Sequence, residues 1–459
     1  MLKPYTREFR YNLKLAYPVM IGQLGHVLVG FADNLMVGQL GPASLAAVSL
    51  GNSFIFIALS LGIGFSYAIT PLIAESDGSN DLDSGRKYMR HGILLCALNG
   101  LLMWAMLVLS KPLLSMLNQP EEVATLAIPY LEIVAFSMFP LMIFQGLKQF
   151  SDGLSLTKFA MIATLAANII NVFFNYLLIY GKWGFPRLEV AGAAWGTAIS
   201  RVFMLLLMFG LLLKHPKLHR YFESFREIKL SKKIFLKIFR LAIPTALQMF
   251  FEVAIFSATI LLAGTLGTLS QASNQIALNL ASMTFMIAVG LGVTATIRVG
   301  NQKGRSDFVT LRRVGHSVFL LVLLIEVVFA LFFFAFRNLL PEVYLNLDNQ
   351  LQLADNLQVI REASFLIVIA GFFQLSDGLQ VVVLGALRGL QDVKIPTYIT
   401  FIAYWLIGFP ISYFLGKQEV FGSIGIWIGL FSGLTAAAGL LYLRFNYLTK
   451  KLVRQSIIS

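Results

Sequence analysis

The chain has 459 residues, 57% hydrophobic and only 13% charged, with 39 phenylalanines. Soluble domains carry about 25% charged residues, so the composition excludes an ordinary soluble domain. The formal net charge is +13, but basic residues that cluster at the ends of apolar runs orient a membrane protein, and no nucleic acid partner is expected.

Runs of roughly 18 or more apolar residues recur along almost the whole chain, which is the signature of transmembrane helices. The ten-residue alternation of a β-barrel is not seen. The expected fold class is an all-α polytopic membrane protein with twelve transmembrane helices in a lipid bilayer. The spans read as about 13–36, 46–74, 91–114, 126–148, 158–180, 190–213, 236–263, 272–298, 314–338, 359–384, 395–416 and 422–446. The first lacks a small-residue cleavage site after its apolar run and reads as a retained helix. Most of the 36 Lys and Arg fall in the N-terminus, the even-to-odd loops and the C-terminus. The other loops hold about five: Lys111, Lys182, Arg187, Arg337 and Lys417. That bias places both termini in the cytoplasm.

In chain order, the first span holds His26 and then Asp33, in VGFADNLMVG. Cys96, the only cysteine, lies in the third span, so no intrachain disulfide can form. The fifth span, AANIINVFFNYLLIYG, sets Asn168, Asn171 and Asn175 three and four residues apart, one polar stripe on an apolar helix. Arg201 stands in the sixth. The basic stretch KHPKLHRYFESFREIKLSKKI follows and reads as a cytoplasmic linker. This gives an N-terminal six-helix lobe (1–214), a linker (215–234) and a C-terminal six-helix lobe (235–459). The seventh span carries Glu252, with Gln248 one turn before it. The eighth, ASNQIALNLAS, places Gln275 and Asn279 on one helix face, next to Asn274. Glu326 lies in the ninth span, facing either a cavity or Arg201, and Asp377 in the tenth, near Gln374, Ser376 and Gln380.

A charge at mid-bilayer costs at least a few kcal/mol, so such residues usually face a cavity and a partner. A low-dielectric carboxylate can exchange a proton or hold a cation. Glu252 and Asp377 with the amides of Gln275 and Asn279 make an oxygen-rich shell suited to a hard cation, Na⁺ at Glu252 and Asp377 being the hypothesis. The alternative for each group is a polar network that only ties helices together.

The halves repeat. LAYP (Leu15 to Pro18) and GQLGPASLA (Gly38 to Ala46) match LAIP (Leu241 to Pro244) and GTLGTLSQA (Gly264 to Ala272) at a constant offset of 226. KQFSDGLSLTKF resembles RGLQDVKIPTYI, with Asp152 opposite Asp392, and GAAWG (Gly192 to Gly196) resembles GIWIG (Gly425 to Gly429). Matches in one order indicate a duplication. Because each half has six spans, the repeat is parallel, an arrangement that secondary transporters use for rocking about a central site. The same offset sets His26 opposite Glu252 and Asp33 opposite Thr259. No phosphate-binding GxxxxGK[ST], HExxH, CxxC or GxSxG motif appears, so no enzyme is expected.

The segments FADNLMVGQLG, QIALNLASMTFM, RVGNQKG and SDGLQVVVLGALRGLQD, with the Asn171 and Asn175 pair, resemble the MATE (multidrug and toxic compound extrusion) family, in its NorM-like branch. The resemblance covers essentially the whole chain. It implies two six-helix lobes and antiport of organic cations against Na⁺ or H⁺. It implies that Glu252 and Asp377 bind the coupling cation and that Asp33, with Asn171 and Asn175, serves an N-lobe proton or drug site. Two departures stand out: Phe373 where some relatives have a tyrosine, and Asn175 where the proton-coupled branch has an acid.

The expected function is a cation-coupled (Na⁺ or H⁺) antiporter exporting lipophilic organic cations across the cytoplasmic membrane, as a monomer, without a cofactor other than the coupling ion. Its partners are small cationic amphipathic molecules. Beside the main site stand His26, Glu326 and Gln248. The alternative is a flippase for a lipid-linked or amphipathic substrate, which would favour a basic cavity.

Overall fold

The computed structural model describes residues 3–116, 120–223, 229–345, 353–418 and 420–458; the centre of the expected linker, 224–228, lies outside the described residues. Among the described residues every regular element is helical, and twelve helices are long and apolar enough to cross a membrane. They are α1 (Phe9–Gly38), α2 (Pro42–Gly78), α3 (Leu82–Leu109), α4 (Glu121–Gly153), α5 (Lys158–Tyr180), α6 (Glu189–Lys214), α7 (Lys232–Gly264), α8 (Thr268–Gly304), α9 (Phe308–Phe336), α10 (Leu353–Gly389), α11 (Lys394–Gly416) and α12 (Gly422–Ser456). The expected all-α, twelve-span class is therefore the observed one.

By packing, the chain forms two compact units, one of residues Tyr17–Phe250 and one of Met1–Ala16 with Phe251–Ser459. In the first, the start of α7 is fixed by aromatic and polar contacts. Phe239 meets Phe65 with ring centroids 5.6 Å apart, Phe235 meets His91 at 4.6 Å, and Lys237 Nζ donates to the Tyr88 hydroxyl at 2.6 Å. Gly64 lets α7 approach closely: a Cβ there would lie 2.8 Å from the Ala246 Cα. In the second unit the N-terminal residues are held by Arg298 of α8, which donates to Asn12 Oδ1 at 2.6 Å and to Glu8 Oε2 at 2.7 Å. Asn12, fully buried, donates in turn to Ser317 Oγ at 3.1 Å.

The duplication is written into backbone detail. Gly41 and Gly267, 226 residues apart, precede α2 and α8 at φ 122° and 113°. At the same offset, Asp81 and Asp307 cap α3 and α9, accepting from Ser84 N at 3.0 Å and Thr310 N at 2.9 Å. Both replace the missing backbone partner of a first helical turn.

The structure corrects the register further along. Helices α5 and α11 start at Lys158 and Lys394, an offset of 236. The turns before them agree: Ser155 and Gln391 share left-handed φ (63° and 64°), and their N–H groups donate to Asp152 O and Arg388 O at 2.8 Å. Asp152 is therefore opposite Arg388, not Asp392. Each acid has its own partner: Lys148 Nζ lies 3.5 Å from Asp152 Oδ2, and Arg444 Nε donates to Asp392 Oδ2 at 2.8 Å. Aligning Asp with Asp shifts the match by one helical turn, which keeps the same face and so hides the slip.

Later in the two helices the offset is 237. Gly196 packs on Asn175 as Gly429 packs on Ser412. The extra residue is absorbed in α11 by a π-helical turn, Ile402–Gly408. The Phe409 N–H closes onto the Tyr404 carbonyl five residues back. Pro410, having no N–H, cannot supply the ordinary α-helical bond to residue 406, which favours irregular winding there. A one-residue insertion accommodated this way is how π turns arise, often at functional sites.

Candidate cation and substrate site

In the Tyr17–Phe250 unit, α1 presents Asp33 to α5. Asn175 Nδ2 donates to Asp33 Oδ1 at 2.6 Å and to Asn171 Oδ1 at 3.2 Å, and Asn171 Nδ2 reaches Thr197 Oγ1 at 3.4 Å. Asn171 and Asn175 are buried, and the three expected residues stand together in one chain of hydrogen bonds. Glycine makes the approach of α6 possible, since any Cβ at Gly196 would collide with the Asn175 amide. Asn168 lies apart from this chain, its amide against Gly25.

Arg201 donates from NH1 to Ser137 Oγ at 2.7 Å within its own unit, and it interacts electrostatically with Asp33 and Tyr130. Tyr130 OH in turn donates to Asn52 Oδ1 at 3.1 Å. His26 lies elsewhere in this unit, in a small cleft shared with Gln23, Lys148, Asp152 and Thr157.

In the other unit the acids gather around α10. Asp377 is 4% exposed and within electrostatic reach of both Glu252 (α7) and Glu326 (α9). Glu326 is 1% exposed, and Gly378 makes room for it: a Cβ at 378 would sit 3.0 Å from Glu326 Cγ. Gln374 Nε2 donates to the Glu326 carbonyl at 3.2 Å. Among the described residues several buried polar atoms here lack hydrogen-bond partners: Glu252 Oε1, Asp377 Oδ1, Glu326 Oε2, both amide atoms of Gln380 and the Tyr404 hydroxyl. Unsatisfied buried polar atoms are costly, so a cluster of them marks a place where a ligand or water completes the bonding. Among the described residues no three His, Cys, Asp or Glu converge tightly enough to hold a metal ion by themselves.

The helices that hold this cluster meet through small residues. In α8 and α10, the Thr296 hydroxyl donates to the Gly385 carbonyl at 2.8 Å, and a Cβ at Gly389 would lie 2.8 Å from the Thr296 carbonyl. That close contact, two turns beyond Asp377, fixes the height of the acid on α10.

Gln275 and Asn279 do form a pair, Gln275 Nε2 donating to Asn279 Oδ1 at 3.1 Å, but Gln275 is exposed. Among the described residues no hydrogen bond joins this pair to Glu252 or Asp377. Their neighbour Asn274 turns inward and accepts from Trp427 Nε1 at 2.9 Å. Gln248 is buried one turn before Glu252. Phe373 is buried in a ring cluster with Phe256 and Trp427. Sequence reasoning missed Thr197 and Tyr404. The available signals were a hydroxyl beside a glycine in α6 and a hydroxyl ahead of Pro410 in an apolar span.

The profile of the MatE family matches residues 18–177 and 244–414. The chain is similar to a probable multidrug resistance protein NorM of Rhizobium meliloti, 36% identical over 97% of this chain and 95% of that protein. It is similar to the multidrug resistance protein NorM of Photobacterium profundum, 33% identical over 97% of this chain and 96% of that one. The fold matches a crystal structure of MATE in a bent conformation with TM-score 0.87 at 20% identity, covering 97% of this chain and 96% of that one. The profile spans most of the chain and the relatives align almost end to end, so this twelve-helix membrane protein belongs to the MatE family.

Proposed function

We propose that the protein is a cation-coupled antiporter that exports lipophilic organic cations across the cytoplasmic membrane, with both termini cytoplasmic and the monomer as the working unit. The coupling ion is Na⁺, H⁺ or both. The observation that carries this reading is the group of carboxylates with buried, unpartnered oxygens among the described residues, Glu252, Asp377 and Glu326, in one compact unit. Uncompensated acids in an apolar interior demand positive charge. A small cation and a drug cation can satisfy that demand in turn, and their competition couples one flux to the other. The names of the relatives, multidrug resistance proteins, agree with such cargo. Asp33, held by Asn175, gives the other unit its own acid, a second place for a proton or for the positive end of a drug. Aromatic side chains would take flat cations by apolar and cation–π contact. The test uses Glu252→Gln and Asp377→Asn in proteoliposomes. Each should insert normally and lose Na⁺- or H⁺-driven drug release; wild-type rates in both variants would remove the reading.

A further inference from the structure

We propose that Tyr404 is a ligand of a monovalent metal cation, its hydroxyl oxygen completing the site begun by Glu252 and Asp377. This rests on the cation-coupled reading above and adds a residue and a ligand class to it.

Placement comes first. Phe251, next to Glu252, meets Phe401, one turn before Tyr404, with ring centroids 5.1 Å apart. Ile255 and Phe256, one turn after Glu252, line one small cleft with Tyr404. These contacts bracket Glu252 at the level of the tyrosine. Tyr404 also shares its apolar cluster with Phe373, one turn before Asp377. Its charge neighbours are Glu252, Asp377 and, more weakly, Arg388.

Chemistry comes second. The ring is buried to 2% exposure, and the hydroxyl has no hydrogen-bond partner among the described residues. A buried tyrosine hydroxyl normally finds one. This one lies near two carboxylates, each of which also has an oxygen without a partner. Three such oxygens within electrostatic reach of one another suit a hard cation, which oxygen ligands favour. Two carboxylates alone leave the coordination of a metal incomplete, and no third acid, histidine or cysteine closes in among the described residues. The phenol supplies a neutral oxygen without adding charge.

Backbone comes third. Tyr404 stands in the π-helical turn, and its own carbonyl accepts the five-residue bond from Phe409. The other unit has no such turn at the matching place; its α5 runs as α-helix from Lys158 to Tyr180. The inserted residue rotates the helix around it and so re-aims this side chain. Gly408 and Gly433 allow α12 to press against the turn, a Cβ at 433 lying 2.9 Å from the Gly408 Cα. The irregular turn is thus locked by packing.

The test measures equilibrium binding of radioactive sodium to the purified full chain, in wild type, Tyr404→Phe and Glu252→Gln. Phenylalanine keeps the ring and its packing and removes only the oxygen. Tyr404→Phe should raise the sodium Kd about tenfold, the scale of one lost polar contact. Its melting temperature in sodium-free buffer should stay at the wild-type value, because phenylalanine keeps the ring and its packing in the buried cluster. A sodium Kd within twofold of wild type in Tyr404→Phe, with Glu252→Gln impaired, overturns the tyrosine assignment alone. Unchanged binding in Glu252→Gln as well overturns the cation-site reading beneath it. Absence of sodium binding in wild type overturns the proposal, and a melting temperature lowered in sodium-free buffer reassigns Tyr404 to packing.

Discussion

The amide of Asn175 donates to Asp33 at 2.6 Å, joining the first and fifth membrane helices. The same amide reaches Asn171 at 3.2 Å, one helical turn away, so the stripe of asparagines acts as one hydrogen-bonded chain that orients the acid. Leaving a buried polar group without its partner costs about 1–3 kcal/mol. Asn175→Leu keeps the volume and removes the donor. It should weaken drug binding by roughly tenfold or more, with little loss of helix packing. Isothermal titration with a cationic dye measures this; unchanged affinity would return the pair to a purely structural role.

Glu326 and Gly378 make a second pair that can be read by mutation. A methyl at 378 would meet Glu326 Cγ at 3.0 Å and Oε1 at 3.1 Å. Overpacking of this kind costs about 1–3 kcal/mol. Gly378→Ala should lower the melting temperature and weaken cation affinity, because the displaced carboxylate no longer adds its charge beside Asp377. Glu326→Gln should weaken cation affinity with little change in melting. If Glu326→Gln left the affinity at its wild-type value, Glu326 would be a structural residue.

The N-terminal residues are tied down by Arg298, which is 10% exposed and bonded to Glu8 and Asn12. The Tyr11 ring lies 4.7 Å from its guanidinium carbon. Arg298→Ala removes the donor to the buried Asn12 and leaves Glu8 with Arg313, whose Nε lies 3.7 Å from Glu8 Oε1. Limited trypsin digestion should then cut faster at Arg7, Arg10 and Lys14 than in the wild type, and high salt should speed wild-type cutting more than it speeds cutting of Glu8→Gln, which has no ion pair left to screen. Equal digestion rates would show that other contacts hold the segment.

The paired helix caps give a pH prediction outside the membrane. The Ser84 hydroxyl and then its backbone N–H hold the Asp81 carboxyl below its usual range. Asp307 is pushed up by burial, but its bonds to Thr310 and the charges of Arg313 and Arg305 outweigh that and leave it lowered. A lowered folded-state value means that the carboxylate contributes stability above the unfolded value, near 3.9, and loses it as pH falls through the folded value. Asp81→Ala and Asp307→Ala should each cost about 0.5–2 kcal/mol at neutral pH. The gap between variant and wild type should narrow below about pH 4. Melting curves across pH check both.

The fold was largely legible in the sequence because bilayer thickness fixes helix length and apolar runs reveal it. The Asp33, Asn171 and Asn175 grouping was legible for a related reason: a polar stripe on an otherwise apolar helix needs a polar partner. The pairing of Gln275 and Asn279 followed from helical spacing, yet spacing says nothing about which way a face points, and Gln275 is exposed. Tyr404 was hidden because its position depends on a one-residue insertion in α11, which apolar periodicity does not register. The slip that aligned Asp152 with Asp392 has a similar origin: a shift of four residues preserves the helix face, so only the backbone turns at Ser155 and Gln391 reveal the register. Arg201 was offered to Glu326 on charge alone, and its bond to Ser137 depends on tertiary packing that no local pattern encodes.

Cation-driven export is tested most directly by loading purified wild-type protein into sealed vesicles with a fluorescent organic cation and imposing Na⁺ and H⁺ gradients one at a time. At least one gradient should drive the dye against its own concentration difference, and Asp377→Asn should abolish that uphill movement while leaving the vesicles equally loaded with protein. Dye movement that is indifferent to both gradients, or equal in Asp377→Asn and wild type, would contradict it.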